Sequence, residues 1–149
     1  MRKLLTLAMV AALGSAGWIS AASAELTATR KVIAIIGGDL YLGTAVGNLR
    51  GAGVLNVQSQ INPRIICKGE FTSSKELGGA GELRCSDGAV SAFKFTRIDV
   101  FHGHGTGKFS RGTMSFTYGM TLAESVPYLV LPVGKKFAAQ TEVLALVDE

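Results

Sequence analysis

Residues 66–95 read ICKGEFTSSKELGGAGELRCSDGAVSAFKF. Two turns divide the stretch into three extended runs. In the second turn, Ser86-Asp87-Gly88 fits a three-residue hairpin loop, with Gly in the left-handed conformation after a type I turn. That loop sets Cys85 opposite Ala89, Gly81 opposite Phe93 and Gly79 opposite Phe95. Large rings then cover the bare backbone of glycines on the neighbouring strand. The glycines read as packing sites rather than ligand sites. None of the Gly-x-Gly pairs follows a strand and opens a helix, as phosphate-cradling loops require. Gly103-His104-Gly105-Thr106-Gly107-Lys108 is not a Walker A loop either.

The first hairpin of the stretch joins KGEF to GELRC. Pairing Phe71 with Gly81 sets Gly69 opposite Leu83 and Cys67 directly opposite Cys85. These are the two cysteines of the chain, so a cross-strand disulfide is expected. The same register sets Lys68 opposite Arg84 and Glu70 opposite Glu82, which is unfavourable for direct pairs. The diagonal pairs Lys68–Glu82 and Glu70–Arg84 are complementary. The alternatives for the cysteines are two buried thiols, or redox chemistry, which this spacing does not suggest.

Outward from this stretch a weak repeat emerges. Gly-x-Gly recurs at Gly51-Ala52-Gly53, Gly79-Ala80-Gly81 and Gly105-Thr106-Gly107, each followed by a strand, a turn and a return strand. The first unit turns near Asn62-Pro63. The third turns at Ser110-Arg111-Gly112, where a second three-residue loop is expected. Lys68-Gly69-Glu70-Phe71, Gly79-Ala80-Gly81 and Asp87-Gly88 resemble MORN repeats, with Tyr41-Leu42-Gly43 and Gly51-Ala52-Gly53 as a partial match. The likeness covers about residues 40–118. Spacers vary, Cys67 stands where the family has an aromatic residue, and the third unit lacks Asp-Gly. The resemblance implies a curved run of hairpins used for binding or scaffolding, and no enzymatic activity.

The flanks extend the pattern. Leu26–Ile36 is a strand with an apolar run at Val32–Ile36, and Gly37-Gly38 leads into a strand at Tyr41–Val46. Thr121-Leu122-Ala123-Glu124 is a capping box for a short helix near residues 122–128, which Pro127 cuts short. Leu129–Lys136 reads as a strand and turn. Phe137–Val147 reads as either a helix or a strand. The fold class is therefore mainly β: Gly-rich antiparallel hairpins, about eight strands, forming a curved sheet or small barrel, with one short helix.

At the N-terminus, Arg2 and Lys3 precede an apolar stretch from Leu4, and Ala22-Ser23-Ala24 offers a small-x-small cleavage site. Residues 1–24 therefore read as a secretory signal peptide, and residues 25–149 as a single β domain, periplasmic or secreted. No cysteine follows the site to carry a lipid, and no later segment reaches membrane-spanning length. Arg2 and Lys3 leave with the signal, so the formal charge falls from +4 to +2. Without a basic run interleaved with aromatics, nucleic-acid binding has little support.

Chemistry-bearing residues are sparse. His102 and His104 are the two histidines and sit two apart, on one side of an extended strand. They could begin a zinc or copper site, but such a site needs three or four ligands. The plainer reading is a pair of solvated histidines at a hairpin rim. There is no Gly-x-Ser-x-Gly elbow, and no carboxylate pair stands at a motif spacing. No catalytic residue and no cofactor is assigned. Two functions stay open. One is a non-enzymatic envelope protein that binds or scaffolds an envelope partner through its sheet. The other is a periplasmic barrel that holds an apolar ligand or a metal. In the second reading Val32–Ile36 and the seven Phe would line the cavity.

Overall fold

From Val90 to Arg97 the chain alternates exposed and buried almost residue by residue. This is the mark of a strand with one wet face. The computed structural model describes residues 25–149 except 75, 77, 141 and 142, so the expected signal segment lies outside the described residues. Eight strands follow one another up and down: β1 Thr27–Ile36, β2 Asp39–Asn48, β3 Ala52–Ser59, β4 Ile66–Ser74, β5 Gly78–Cys85, β6 Val90–Arg97, β7 Gly103–Phe109 and β8 Gly112–Tyr118. Each pairs antiparallel with the next, and β8 returns to β1 to close a barrel. A closed barrel has no edge strand to protect.

The central hairpins have the expected register. Gly79 faces Phe95, Gly81 faces Phe93, and Phe71 faces Gly81. Cys67 faces Cys85 and is bonded to it. The Cys85 amide donates across to Ala89 on the other side, so the cysteines form a non-hydrogen-bonded pair, where strands approach most closely. Their Cα atoms are 3.9 Å apart. The charges are resolved differently from the expected diagonals, because Arg84 pairs along its own strand with Glu82.

The third hairpin differs by one residue. Phe109 pairs with Gly112 and Gly107 with Met114, so the loop holds two residues, Ser110 and Arg111, rather than three. A one-residue slip would exchange the faces of the whole strand. A three-residue loop would turn Ser115 and Thr117 into the barrel. The observed register instead turns Met114, Phe116 and Tyr118 inward, opposite Gly107, Gly105 and Gly103. Gly112 sits at φ 139°, where a side chain would be strained, and this permits the tighter turn.

The apolar run of β1 is divided between two cores. Val32, Ala34 and Ile36 face the interior. Ile33 and Ile35 face outward and pack with Leu40 and Leu42 of β2. Leu129, Leu131, Phe137, Leu144 and Leu146 cover them from outside. That cover follows α1 (Leu122–Ser125), whose capping box forms as expected, and a 3-10 turn at Val126–Tyr128. Leu129–Val133 is not a strand. It runs without ladder pairing over the barrel wall, and the strands are β9 Lys135–Gln140 and β10 Val143–Asp148, joined as a hairpin. No helix among the described residues is long and apolar enough to cross a membrane.

A buried hydroxyl pair pins α1 to the barrel. Ser125 Oγ donates to the Thr121 carbonyl at 2.7 Å and accepts from Thr117 Oγ1 at 2.7 Å. Both residues are fully buried. Ser125→Ala leaves the Thr117 hydroxyl without its partner. It is expected to lower stability by about 1–2 kcal/mol, read as a lower urea midpoint at unchanged slope.

Candidate functional site

The two ends of the barrel are built differently. One end carries the turns at Gly37-Gly38, Gln60–Ile65, Ser86–Gly88 and Ser110-Arg111, and it is packed shut. Phe109, Met114, Tyr41 and the Cys67–Cys85 bridge fill it. Ser86 Oγ accepts from the Ile66 amide and donates to the Arg64 carbonyl, which ties two of the turns together. Arg111 and Asp87 join the Ser86–Gly88 turn to the Ser110-Arg111 turn at 2.6 Å. The amide of Ala89, with Arg111 beside it, holds the Asp87 carboxyl below its ordinary value.

The other end is open. Above the packed floor lies a cavity of about 780 Å³, within the range of about 300–1,000 Å³ usual for small-molecule sites. Its opening is set by side-chain size. The inward positions of β5 and β7 are largely glycine, while β4, β6 and β8 supply Phe71, Phe93, Phe95, Phe116 and Tyr118. These rings pack edge to face: Phe71 on Phe95 at 5.5 Å, Phe93 on Phe116 at 5.4 Å, Phe95 on Tyr118 at 6.0 Å. Facing them across the space are Val32, Ala45, Gly47 and Leu55. The small residues at Ala45 and Gly47 leave the volume unfilled.

Five of the seven Phe line the cavity: Phe71, Phe93, Phe95, Phe101 and Phe116. Phe109 belongs to the floor and Phe137 to the outer core. Of Val32–Ile36 only Val32 lines the cavity. Ala34 and Ile36 sit lower in the interior, and alternation turns Ile33 and Ile35 out of the barrel. The sequence reading missed Arg30, Arg97 and Tyr118, which also line the space. Burial holds the Tyr118 phenol above its ordinary pKa. Asp99 adds to the shift and Arg97 opposes it.

The mouth is rimmed by apolar side chains that water reaches. Leu26, Leu49, Ile98, Val100 and Phe101 are all exposed. The last three lie on the loop between β6 and β7, which Asp99 organises. Its Oδ1 accepts from the Phe101 amide at 2.7 Å and the His102 amide at 2.8 Å, and its carboxylate meets His102 Nδ1. The His102 hydrogen bond, followed by these amides, holds the Asp99 carboxyl below its ordinary value.

The two histidines take separate partners. His102 binds Asp99, and His104 stacks on Tyr128 with ring centroids 4.0 Å apart. Among the described residues no group of three or more His, Cys, Asp or Glu is placed to hold a metal.

The depressed Asp99 pKa has a definite sign. The bonds to the Phe101 and His102 amides exist above the ordinary carboxylate pKa and are lost only as pH falls through the depressed value. Exchange of these two amides relative to their intrinsic rates at each pH, followed by NMR, is expected to stay slowed from neutral pH down through the ordinary carboxylate range and to quicken below it. Quickening between pH 7 and about 5 would show that the carboxylate does not hold the loop.

No family model and no curated protein matches the chain. One solved structure that it resembles is a de novo designed fluorescence-activating β barrel. The TM-score is 0.49 at 18% identity, over 62% of this chain and 91% of that one. Nothing about this chain's ligand follows from that likeness.

Proposed function

We propose that the protein is a small-ligand-binding barrel that acts outside the cytoplasm, holding an apolar molecule without transforming it. The observation that carries this reading is the cavity of about 780 Å³, apolar along its wall, closed by a packed floor and open at one end. Export is supported by the signal-like segment at residues 1–24, and the Cys67–Cys85 bridge suits an oxidising compartment. The ligand reading is favoured over docking through the sheet. The outward positions of β3 to β6 are mostly polar, with Asn56, Gln58, Lys68, Glu82, Arg84 and Lys94 exposed, and Val54 and Val90 exposed among them. The apolar surface inside the barrel and at its rim is the one that encloses a cavity.

The test is a neutral apolar fluorophore, N-phenyl-1-naphthylamine, titrated into purified protein stripped of lipid. Saturable binding at one site per chain is expected. Ala45→Phe, which projects a ring into the space opposite Leu55, is expected to weaken it at least about 10-fold, because the ring takes the volume the probe needs. Native mass spectrometry of protein purified without stripping is expected to show a retained small molecule. A chain that binds no apolar probe and retains none would remove the proposal.

A further inference from the structure

Arg30 lies two residues before Val32 on β1, and Arg97 two residues after Phe95 on β6. Strand alternation therefore turns both to the inner face, and both line the cavity. The register relates them to Tyr118. Arg97 faces Gly103, Gly103 faces Tyr118, and Tyr118 faces Val32. Arg97 and Tyr118 thus lie on one register line two strands apart, and Arg30 stands one inward position beyond Val32 toward the rim. Gly103 between them contributes no side chain, so nothing from β7 separates Arg97 from Tyr118.

Both guanidinium groups have donors to spare. The Arg30 guanidinium lies 4.2 Å over the centre of the Phe101 ring, and its Nη1 donates to the Thr29 carbonyl. Arg97 Nη1 donates to the Ser74 carbonyl at 3.3 Å. Among the described residues neither arginine forms an ion pair. A guanidinium carries five N–H donors and keeps its charge in proteins. The carboxylate that lines the mouth, Asp99, is committed within its own loop to His102 and two amides. Two cations with unspent donors at the entrance of a hydrocarbon-lined space match an anion attached to a hydrocarbon.

We propose that the ligand is a single-chain amphiphile with an anionic head, a carboxylate or a phosphate. Arg30 and Arg97 hold the head at the mouth, and the chain runs down among Leu55, Phe71, Phe93 and Phe95. The inference rests on the reading of the cavity as a ligand site. The exposed rim of Leu49, Ile98 and Val100 gives the chain an apolar path inward while the head stays in water.

The experiment is displacement of N-phenyl-1-naphthylamine by three ligands that share one chain: dodecanoate, dodecyl phosphate and dodecanol. The two anions are expected to bind at least about 10-fold more tightly than the alcohol. In Arg30→Met/Arg97→Met the advantage of the anions over dodecanol is expected to fall within about 3-fold, because Met keeps an apolar stem and loses the charge. Arg30→Gln and Arg97→Gln, tested singly, cover the case in which the double variant does not fold. Each is expected to lose part of the advantage. The ratio of the two anions separates a free fatty acid from a phospholipid-derived head. Equal binding of anions and alcohol, or an anion preference that survives in folded arginine variants, would overturn the headgroup assignment and leave the apolar-ligand reading standing. Failure of the fluorophore itself to bind would overturn both.

Discussion

Cys67→Ala/Cys85→Ala is expected to lower the stability of the barrel by about 3 kcal/mol in the loop-entropy model. The bond closes an 18-residue separation, so its loss releases a substantial loop in the unfolded chain. Both cysteines are buried, so truncation also removes two sulfurs from a packed floor and adds a cavity penalty of the same sign. Alanine is chosen over serine because a serine hydroxyl there would need a buried partner. For a domain of this length the expected fall in melting temperature is roughly 10 °C. Reduction of the wild-type protein should reproduce most of the loss. The urea slope should rise slightly, because the unbridged unfolded chain exposes more surface. Dodecanoate affinity of the folded fraction should hold, since the bridge is part of the floor and does not line the cavity. Equal urea midpoints for oxidised and reduced protein would show that the bond contributes nothing to stability.

The bridge was also the most legible feature of the sequence. Register there is constrained three times over, by the Ser86-Asp87-Gly88 turn, by rings falling on glycines and by two cysteines falling opposite each other. The Ser110-Arg111-Gly112 hairpin lacked such a check. Its tripeptide looks like the other, yet the loop is one residue shorter, because the barrel needs Met114, Phe116 and Tyr118 inside. Closure itself was beyond local reading. The β1–β8 pairing joins Val32 to Tyr118, and no nearby pattern announces a contact across that separation. The C-terminal hairpin was ambiguous for a related reason. Its apolar side chains are matched to Ile33, Ile35 and Leu40, which alternation along an apolar run does not reveal as outward-facing.

The site was less legible than the fold. A cavity comes from side chains that fail to meet, and a sequence records only those that are present. The aromatic wall could be anticipated from Phe93 and Phe95, but the space beside it depends on Ala45 and Gly47 standing across the barrel. Arg30 and Arg97 did leave a signal. Each stands at an even offset from an inward residue, Val32 and Phe95 respectively. A basic residue on the buried parity of a strand, near the strand's end, is a mark of a lined mouth.

Gly105→Ala should destabilise the barrel by about 3 kcal/mol, near the upper end for overpacking. A Cβ built on Gly105 would stand 2.4 Å from the Lys94 carbonyl oxygen and 2.5 Å from Phe116 Cζ. One neighbour is a ring that can tilt, and the other is backbone of the adjoining strand. The glycine therefore serves two needs: it receives the Phe116 ring, and it lets β6 and β7 approach closely as the sheet curls. Phe116→Leu separates these needs by removing the ring clash and leaving the carbonyl in place. The double variant Gly105→Ala/Phe116→Leu is expected to be more stable than additivity of the single changes predicts, yet still less stable than Phe116→Leu alone. Gly47→Ala supplies the contrast. It also lies on the inner face, but its Cβ would meet Phe71 Cζ at an ordinary 3.6 Å. Its stability should stay within about 0.5 kcal/mol of wild type, because there is room for the methyl group and the unfolded chain loses freedom. Urea midpoints of these four variants decide the matter. Equal losses at Gly105 and Gly47 would show that the ring-on-glycine contact contributes nothing of its own. Loss confined to Gly105 would show that the ring-on-glycine contact sets how tightly this sheet can close around its cavity.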